Sequence, residues 1–331
     1  MLNAQVNHLR ALANSLQPPG PRAPRSVQTR NQGSGAVPCL GLVPPYRVRD
    51  DAAMRSVLVP VVAVAMLATA CAAPAETTTP RSERCTTDSL ETMYPGVLTV
   101  GTDQPVYPPW YMGDNPASGE GFESALAYAV ADHLGYQRDD VRWVRVPFNA
   151  ALNPGPKSFD INLSEFSITQ QRRGAVDFSS PYFDVTQAVV AVKTSPAVNV
   201  RDLGGLKSLK LGVQVGTTSY TAATAVGASI PVSVYNTNGD AKMALNTGEI
   251  DALVADMPTA FAVAGELSDG VIIGQLPNVS GEVEQFGIVL GKNSPLTRCV
   301  SSAVDALWTD GTPTTLQEKW LADAGKAPVL S

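Results

Sequence analysis

Residues 158–183 read SFDINLSEFSITQQRRGAVDFSSPYF, and the organisation of the chain follows from them. The first half alternates apolar and polar positions, with Phe159, Ile161 and Leu163 against Asp160, Asn162 and Ser164, which is a strand pattern. Ser167-Ile168-Thr169 then predicts a helix start, because a hydroxyl can accept from the open N–H groups of a first turn. Arg172 and Arg173 follow on that short helix, and Asp177-Phe178-Ser179-Ser180-Pro181-Tyr182 closes it. A strand end, a hydroxyl cap, open N–H groups and a guanidinium together suit a small carboxylate. The plainer alternative is that both arginines only solvate a surface turn.

These residues carry a family resemblance. Phe159-Asp160, Ser167-Ile168-Thr169, Arg172 and Val176-Asp177-Phe178-Ser179-Ser180-Pro181-Tyr182 resemble the signature of family 3 extracellular solute-binding proteins, the polar amino-acid receptors of ABC importers. The likeness runs from about Gly96 to Trp320. It implies an α/β, two-lobed periplasmic-binding-protein fold of type II, with the ligand in the interlobe cleft and two hinge crossovers. Lobe one is then expected over 85–190 plus 287–331, and lobe two over 191–286.

The front of the chain differs in kind. Residues 1–53 hold Pro18-Pro19-Gly20-Pro21, scattered arginines and no sustained periodicity, so they read as a disordered, misassigned upstream extension with translation starting at Met54. Met54-Arg55 opens a short basic region, and an uncharged apolar run follows from Val57 to Ala70. That run is shorter than the roughly 20 residues a spanning helix needs, and a cleaved secretory signal over 54–70 fits it. Leu67-Ala68-Thr69-Ala70-Cys71 resembles a bacterial lipobox, which implies cleavage before Cys71 and lipid on its thiol. Residues 71–84 are polar, proline-containing and aperiodic, a flexible tether.

Composition bounds what remains. The chain has 24 basic and 30 acidic residues, net −6; removing the seven arginines and two aspartates of residues 1–70 leaves 17 against 28, net −11. That balance excludes nucleic acid as a partner, since phosphate binding needs clustered Lys and Arg. No CxxC or paired-histidine spacing exists, and His133 is the only histidine after Cys71, so no metal and no cofactor are expected. Beyond Cys39 and Cys71, the two cysteines Cys85 and Cys299 most simply form one disulfide in an exported protein, the alternative being two free buried thiols.

Val97 to Asp103 is an apolar strand entering the stiff aromatic loop Tyr107-Pro108-Pro109-Trp110-Tyr111. The resemblance implies that Tyr107 lies over the ligand side chain and that Trp110 supports the wall. Ser124 to Leu134 is a helix ended by Gly135, with Glu123 in its first turn, and Val141 to Val146 is a strand. Phe148 to Lys157 reads as a Pro/Gly-rich loop. The strand Gln187 to Val192 is buried and carries the chain out of lobe one, and Lys210 to Val215 begins a new strand. Gly216-Thr217-Thr218 at the next helix start is a second anion-binding arrangement without the lysine a P-loop requires. The resemblance maps the carboxylate contact to Thr218, with Thr217 nearby. Gly248 to Pro258 reads as a short buried strand ending at Asp256, whose mapped role is to accept the ligand's α-ammonium; capping its helix is the alternative. Gln285 to Leu290 returns to lobe one and leads to the closing helices.

Together these imply a monomeric, lipid-anchored protein on the outer face of a bacterial membrane. It captures a free polar amino acid through Arg172, Ser167, Thr218 and Asp256 and passes it to ABC permease subunits, without catalysis. Glu165 stands where a neutral polar residue is usual; it either favours a cationic side chain or pairs with Arg173. The alternatives are a fold-related cyclohexadienyl or arogenate dehydratase, and a ligand sensor not coupled to transport.

Overall fold

The computed structural model describes residues 85–278, 281–322 and 327–331. The segments expected to be an upstream extension, an export signal and a tether, with Cys71, all lie outside the described residues.

Two mixed sheets are built in turn. β1 (Leu98–Thr102) enters the aromatic loop, and α1 (Phe122–His133) leads to β2 (Val141–Arg145), parallel to β1. α2 (Phe148–Leu152) and β3 (Ile161–Asn162) follow, with β3 pairing on the other side of β1. α3 (Gln170–Arg173) has Thr169 as its N-cap, the hydroxyl accepting from the Arg172 N–H at 3.1 Å. β4 (Val176–Val185) is then the far edge of this first sheet.

The second sheet opens with β5 (Gln187–Val192). α4 (Leu203–Leu206), β6 (Leu211–Gln214), α5 (Thr218–Ala225), β7 (Ser233–Tyr235), α6 (Asn238–Thr247), β8 (Ala252–Asp256), α7 (Met257–Glu266) and β9 (Gly270–Gln275) complete its body. β10 (Glu284–Gly291) returns to the first sheet, and α8 (Thr297–Asp310) and α9 (Thr312–Trp320) close it. The strand orders are β2-β1-β3-β10-β4 and β7-β6-β8-β5-β9. In each, the parallel βαβ strands precede one antiparallel insertion, the pattern of an α/β domain whose two faces are covered.

Burial follows the strand period. In β5, Val189 and Ala191 face one core, while Ala188, Val190 and Val192 face the other. Both faces are dry, which is why QAVVAV is continuously apolar rather than alternating. Each large apolar side chain removed from water there contributes about 1.5–3 kcal/mol. The first sheet has the same two-sided burial, with Leu98, Phe122 and Phe286 on one face and Phe148, Phe166 and Phe178 on the other. Asp160 fixes its centre: its two oxygens accept the Thr99 and Met93 N–H groups, both at 2.7 Å.

Three expectations change. Phe148 to Leu152 is a helix, not a loop; Pro147 precedes it with the fixed φ of −53° and Phe148 and Ala151 are buried beneath it. β5 belongs to the second sheet, so the first crossing falls between Val185 and Gln187 rather than after Val190. An apolar run buried on both faces fits a central strand of either sheet, and periodicity alone cannot assign it. Residues 327–331, expected with lobe one, lie against β9: Gln275 N–H donates to Pro328 O at 2.7 Å, and Leu330 is buried in the second sheet's core. Chain segments therefore pass between the lobes at β4–β5, at β9–β10 and again after α9.

Cys85 and Cys299 are joined, with Cα atoms 5.3 Å apart across a sequence separation of 214. The bridge ties the beginning of the described chain to α8 in the first lobe's core.

Candidate functional site

A cleft lies between the sheets, lined from lobe one by Asp103, Tyr107, Phe148, Ser164, Glu165, Ser167 and Arg172, and from lobe two by Gln214, Thr217, Thr218, Asn238 and Asp256. The parallel strands aim their carboxyl ends at this crevice, where open α/β sheets bind ligands. β1 delivers Asp103, β3 delivers Ser164 and Glu165, and β8 delivers Asp256.

Arg172 is held from both sides. Its guanidinium donates to Ser167 O at 2.6 Å and across the cleft to Gly216 O at 3.0 Å, and lies 5.6 Å from the centre of the Phe148 ring. Burial lowers its proton affinity, and the fields of Asp256 and Glu284 oppose that. The Ser167 and Thr218 hydroxyls meet at 3.1 Å. Thr217 caps α5 in position but sends its own hydroxyl to Gln214 O at 2.8 Å.

Asp256 sits at the end of β8. Gln187 Nε2 donates to its Oδ1 at 2.6 Å and to Glu284 Oε2 at 3.1 Å. Burial first, then the neighbouring Glu284, push its carboxyl from 3.8 up to about 8, with Gln187 and Arg172 pulling the other way. Its side chain makes no hydrogen bond to the turn of α7, so capping is not its role.

Glu165 has φ of +55°, a left-handed conformation that costs a non-glycine residue about 1 kcal/mol. Its N–H donates to Glu123 Oε1 at 2.7 Å, and its Oε2 accepts from the Thr259 hydroxyl. Burial, then Glu123 and Asp256, hold its carboxyl well above the usual range. The expected alternative of a Glu165–Arg173 pair is absent: Arg173 is exposed, with its guanidinium 5.8 Å from the Phe178 ring centre.

Tyr107 is on the cleft, its hydroxyl accepting from the Gly239 N–H of α6 at 3.1 Å. Trp110 is not on the cleft. It is fully buried among Phe122, Phe183 and Phe286, and its indole N–H donates to the Thr259 hydroxyl at 2.8 Å. The apolar loop position signalled burial; only the fold shows that this ring ties one lobe to the other.

Sequence reasoning missed Glu123, Gln187 and Thr259. Glu123 is fully buried, accepts from the Tyr182 hydroxyl as well as from Glu165, and is raised to about 7, chiefly by burial. Its place in the first turn of α1 concealed this, because an acid there already suits a helix N-terminus. Gln187 and Thr259 carry no motif signal. Among the described residues no cluster of His, Cys, Asp and Glu could hold a metal.

A two-lobed fold with a polar, charge-bearing interlobe cleft defines a type II periplasmic binding protein. Residues 98–323 match the model of the bacterial extracellular solute-binding proteins, family 3, and the chain belongs to that family. It is 28% identical over 238 residues to the L-cystine-binding protein TcyJ of Escherichia coli K12, covering 70% of this chain and 85% of that one. Among solved structures, an ancestral arginine-binding protein bound to glutamine superposes with a TM-score of 0.57 at 32% identity, over 68% of this chain and 97% of that one. An ancestral amino-acid-binding protein described as a precursor of cyclohexadienyl dehydratase gives a TM-score of 0.56 at 31% identity, over 68% and 95%.

Proposed function

We propose that the protein captures a free amino acid in the cleft and delivers it to the permease of an ABC importer, acting as a monomer anchored by lipid at Cys71 to the outer face of the membrane. The observation that carries the reading is a guanidinium and a carboxyl brought together from different lobes. Arg172 and Asp256 are near enough for each to alter the other's proton affinity, with the Ser167 and Thr218 hydroxyls beside them. A carboxylate on Arg172 and an ammonium on Asp256 would pair both buried charges at once, whereas a simple amine or carboxylate would leave one unpaired at a cost of several kcal/mol. Relatives named for binding cystine and arginine agree with this ligand class. Because both lobes supply partners, ligand favours the closed arrangement.

Thermal denaturation against the twenty amino acids, each at about 1 mM, tests the reading, since a ligand at a hundred times its Kd stabilises the folded form by about 2.7 kcal/mol. A selective rise in Tm that Arg172→Ala and Asp256→Ala both abolish is expected. No rise with any amino acid would sink it. A second reading, a dehydratase, draws on the neutral-range carboxyl of Asp256 on the cleft, which suits a general acid, and on the ancestral neighbour described as a precursor of cyclohexadienyl dehydratase. Turnover of prephenate or arogenate would favour it. For the anchor, Cys71→Ser should move the exported protein from the membrane fraction into the soluble one.

A further inference from the structure

The cleft holds one carboxyl more than capture of a plain zwitterion uses. Asp256 feels Arg172, whereas Asp103 is satisfied by the backbone, its Oδ1 accepting the Gln104 and Phe148 N–H groups at 2.7 and 3.1 Å, with Arg145 nearby but ion-paired to Asp114. Glu165 has no cation partner among the described residues. The groups facing it are the acids Glu123, Asp256 and Asp103, the phenols of Tyr111 and Tyr182 and the hydroxyl of Thr259. A half-buried carboxyl among like charges is disfavoured in its ionised form unless a cation joins it.

We propose that Glu165 is the specificity-determining residue of the cleft and takes the charged end of the ligand's side chain, so that the amino acids captured carry an amino or guanidino group beyond the α-carbon. This rests on the amino-acid reading above. Position along the ligand follows from the neighbours. The α-carboxylate and α-ammonium share one carbon, so their partners must be adjacent, and Arg172 and Asp256 do feel one another. Glu165 makes no hydrogen bond to Arg172, Ser167 or Thr218 and is held instead by Glu123 and Thr259, which sets it apart from the carboxylate end of the cleft. The cleft walls Val106, Tyr107, Tyr111 and Phe148 supply apolar surface for the intervening methylenes. The carboxyl itself is aimed by the protein: Thr259, fixed in turn by Trp110, holds Oε2, and Glu123 holds the backbone. Three elements thus orient a group that forms no ion pair among the described residues.

The test is calorimetric titration of the protein, and of Glu165→Gln, with L-lysine, L-arginine, L-glutamine and Nε-acetyl-L-lysine at pH 7. The native protein should bind lysine or arginine at least about tenfold more tightly than either neutral ligand, as expected when a buried charge gains its partner. In Glu165→Gln, which keeps an acceptor for Thr259, that preference should collapse towards parity. A second measurement needs no variant: lysine should release more protons on binding than acetyl-lysine does, because the ligand cation ionises Glu165. Equal affinity for charged and neutral ligands, a preference that survives Glu165→Gln, or equal proton release overturns the role of Glu165 and leaves amino-acid capture standing. Binding of none of the four overturns both.

Discussion

Asp256 makes the cleft sensitive to pH. Its carboxyl stands at about 8 in the fold against 3.8 unperturbed, so between those values the folded protein holds a proton that the unfolded chain has released. Stability of the ligand-free form therefore falls as pH rises from about 4 to 8, the reverse of a salt-bridged aspartate. Amino-acid binding has the opposite slope, because the α-ammonium pairs with the ionised carboxyl. Affinity should rise from pH 6 to 8 by up to about tenfold per unit for one displaced proton, and calorimetry in buffers of different ionisation enthalpy reads that proton directly. Asp256→Asn should flatten both curves and cost binding about 3–5 kcal/mol, by leaving the ligand's ammonium buried without a charge. At this scale Arg172, Ser167 and Thr218 were legible, because caps and charges beside strand ends have a sequence pattern. Glu123, Gln187 and Thr259 were not. Their roles come from burial and from neighbours more than 30 positions away, which no local pattern encodes.

Short elements set how closely the lobes meet. Gly216 has φ of +77° and faces Asn149 of α2 across the cleft, where an added Cβ would collide with the Asn149 side-chain oxygen. Gly216→Ala should cost about 1 kcal/mol of stability through its positive φ and, by displacing the Asn149 side chain at the cleft, weaken ligand binding. Circular dichroism together with calorimetry separates the two effects. Glycine at this turn was readable as an anion-binding feature, but its service as a spacer depends on α2, a helix hidden in a segment rich in Pro and Gly. The bridge from Cys85 to α8 is a different kind of contact, since it lies in the packed core of lobe one, away from the residues lining the cleft. Cys299→Ser should lower stability by about 2–5 kcal/mol in urea unfolding while leaving ligand affinity unchanged. A fall in affinity would mean that the bridge also restrains the hinge.

Among the hydrogen bonds by which the lobes touch are Ser167–Thr218, Arg172–Gly216, Tyr107–Gly239 and Trp110–Thr259. Each joins a group of the first sheet's body to one of the second, so the arrangement described is closed. Opening must exchange these bonds for water, and each exchange costs only about 0.5–1.5 kcal/mol, small enough for a ligand to govern. The two-lobed plan was legible because two separate sets of strand, hydroxyl and glycine signals recur along the chain. Which strand crosses was not, since β5 is apolar on both faces. The return of residues 327–331 to β9 had no signal either, because a few apolar residues at a chain end suit any surface. That return has a practical consequence. Cys85 packs on lobe one, whereas Leu330 is buried in lobe two, so the two ends of the folded body ride on opposite halves of the jaw. A donor dye attached just before Cys85 and an acceptor dye at Ser331 would form a built-in ruler, one whose reading follows each bite of the molecule with no label placed near its mouth.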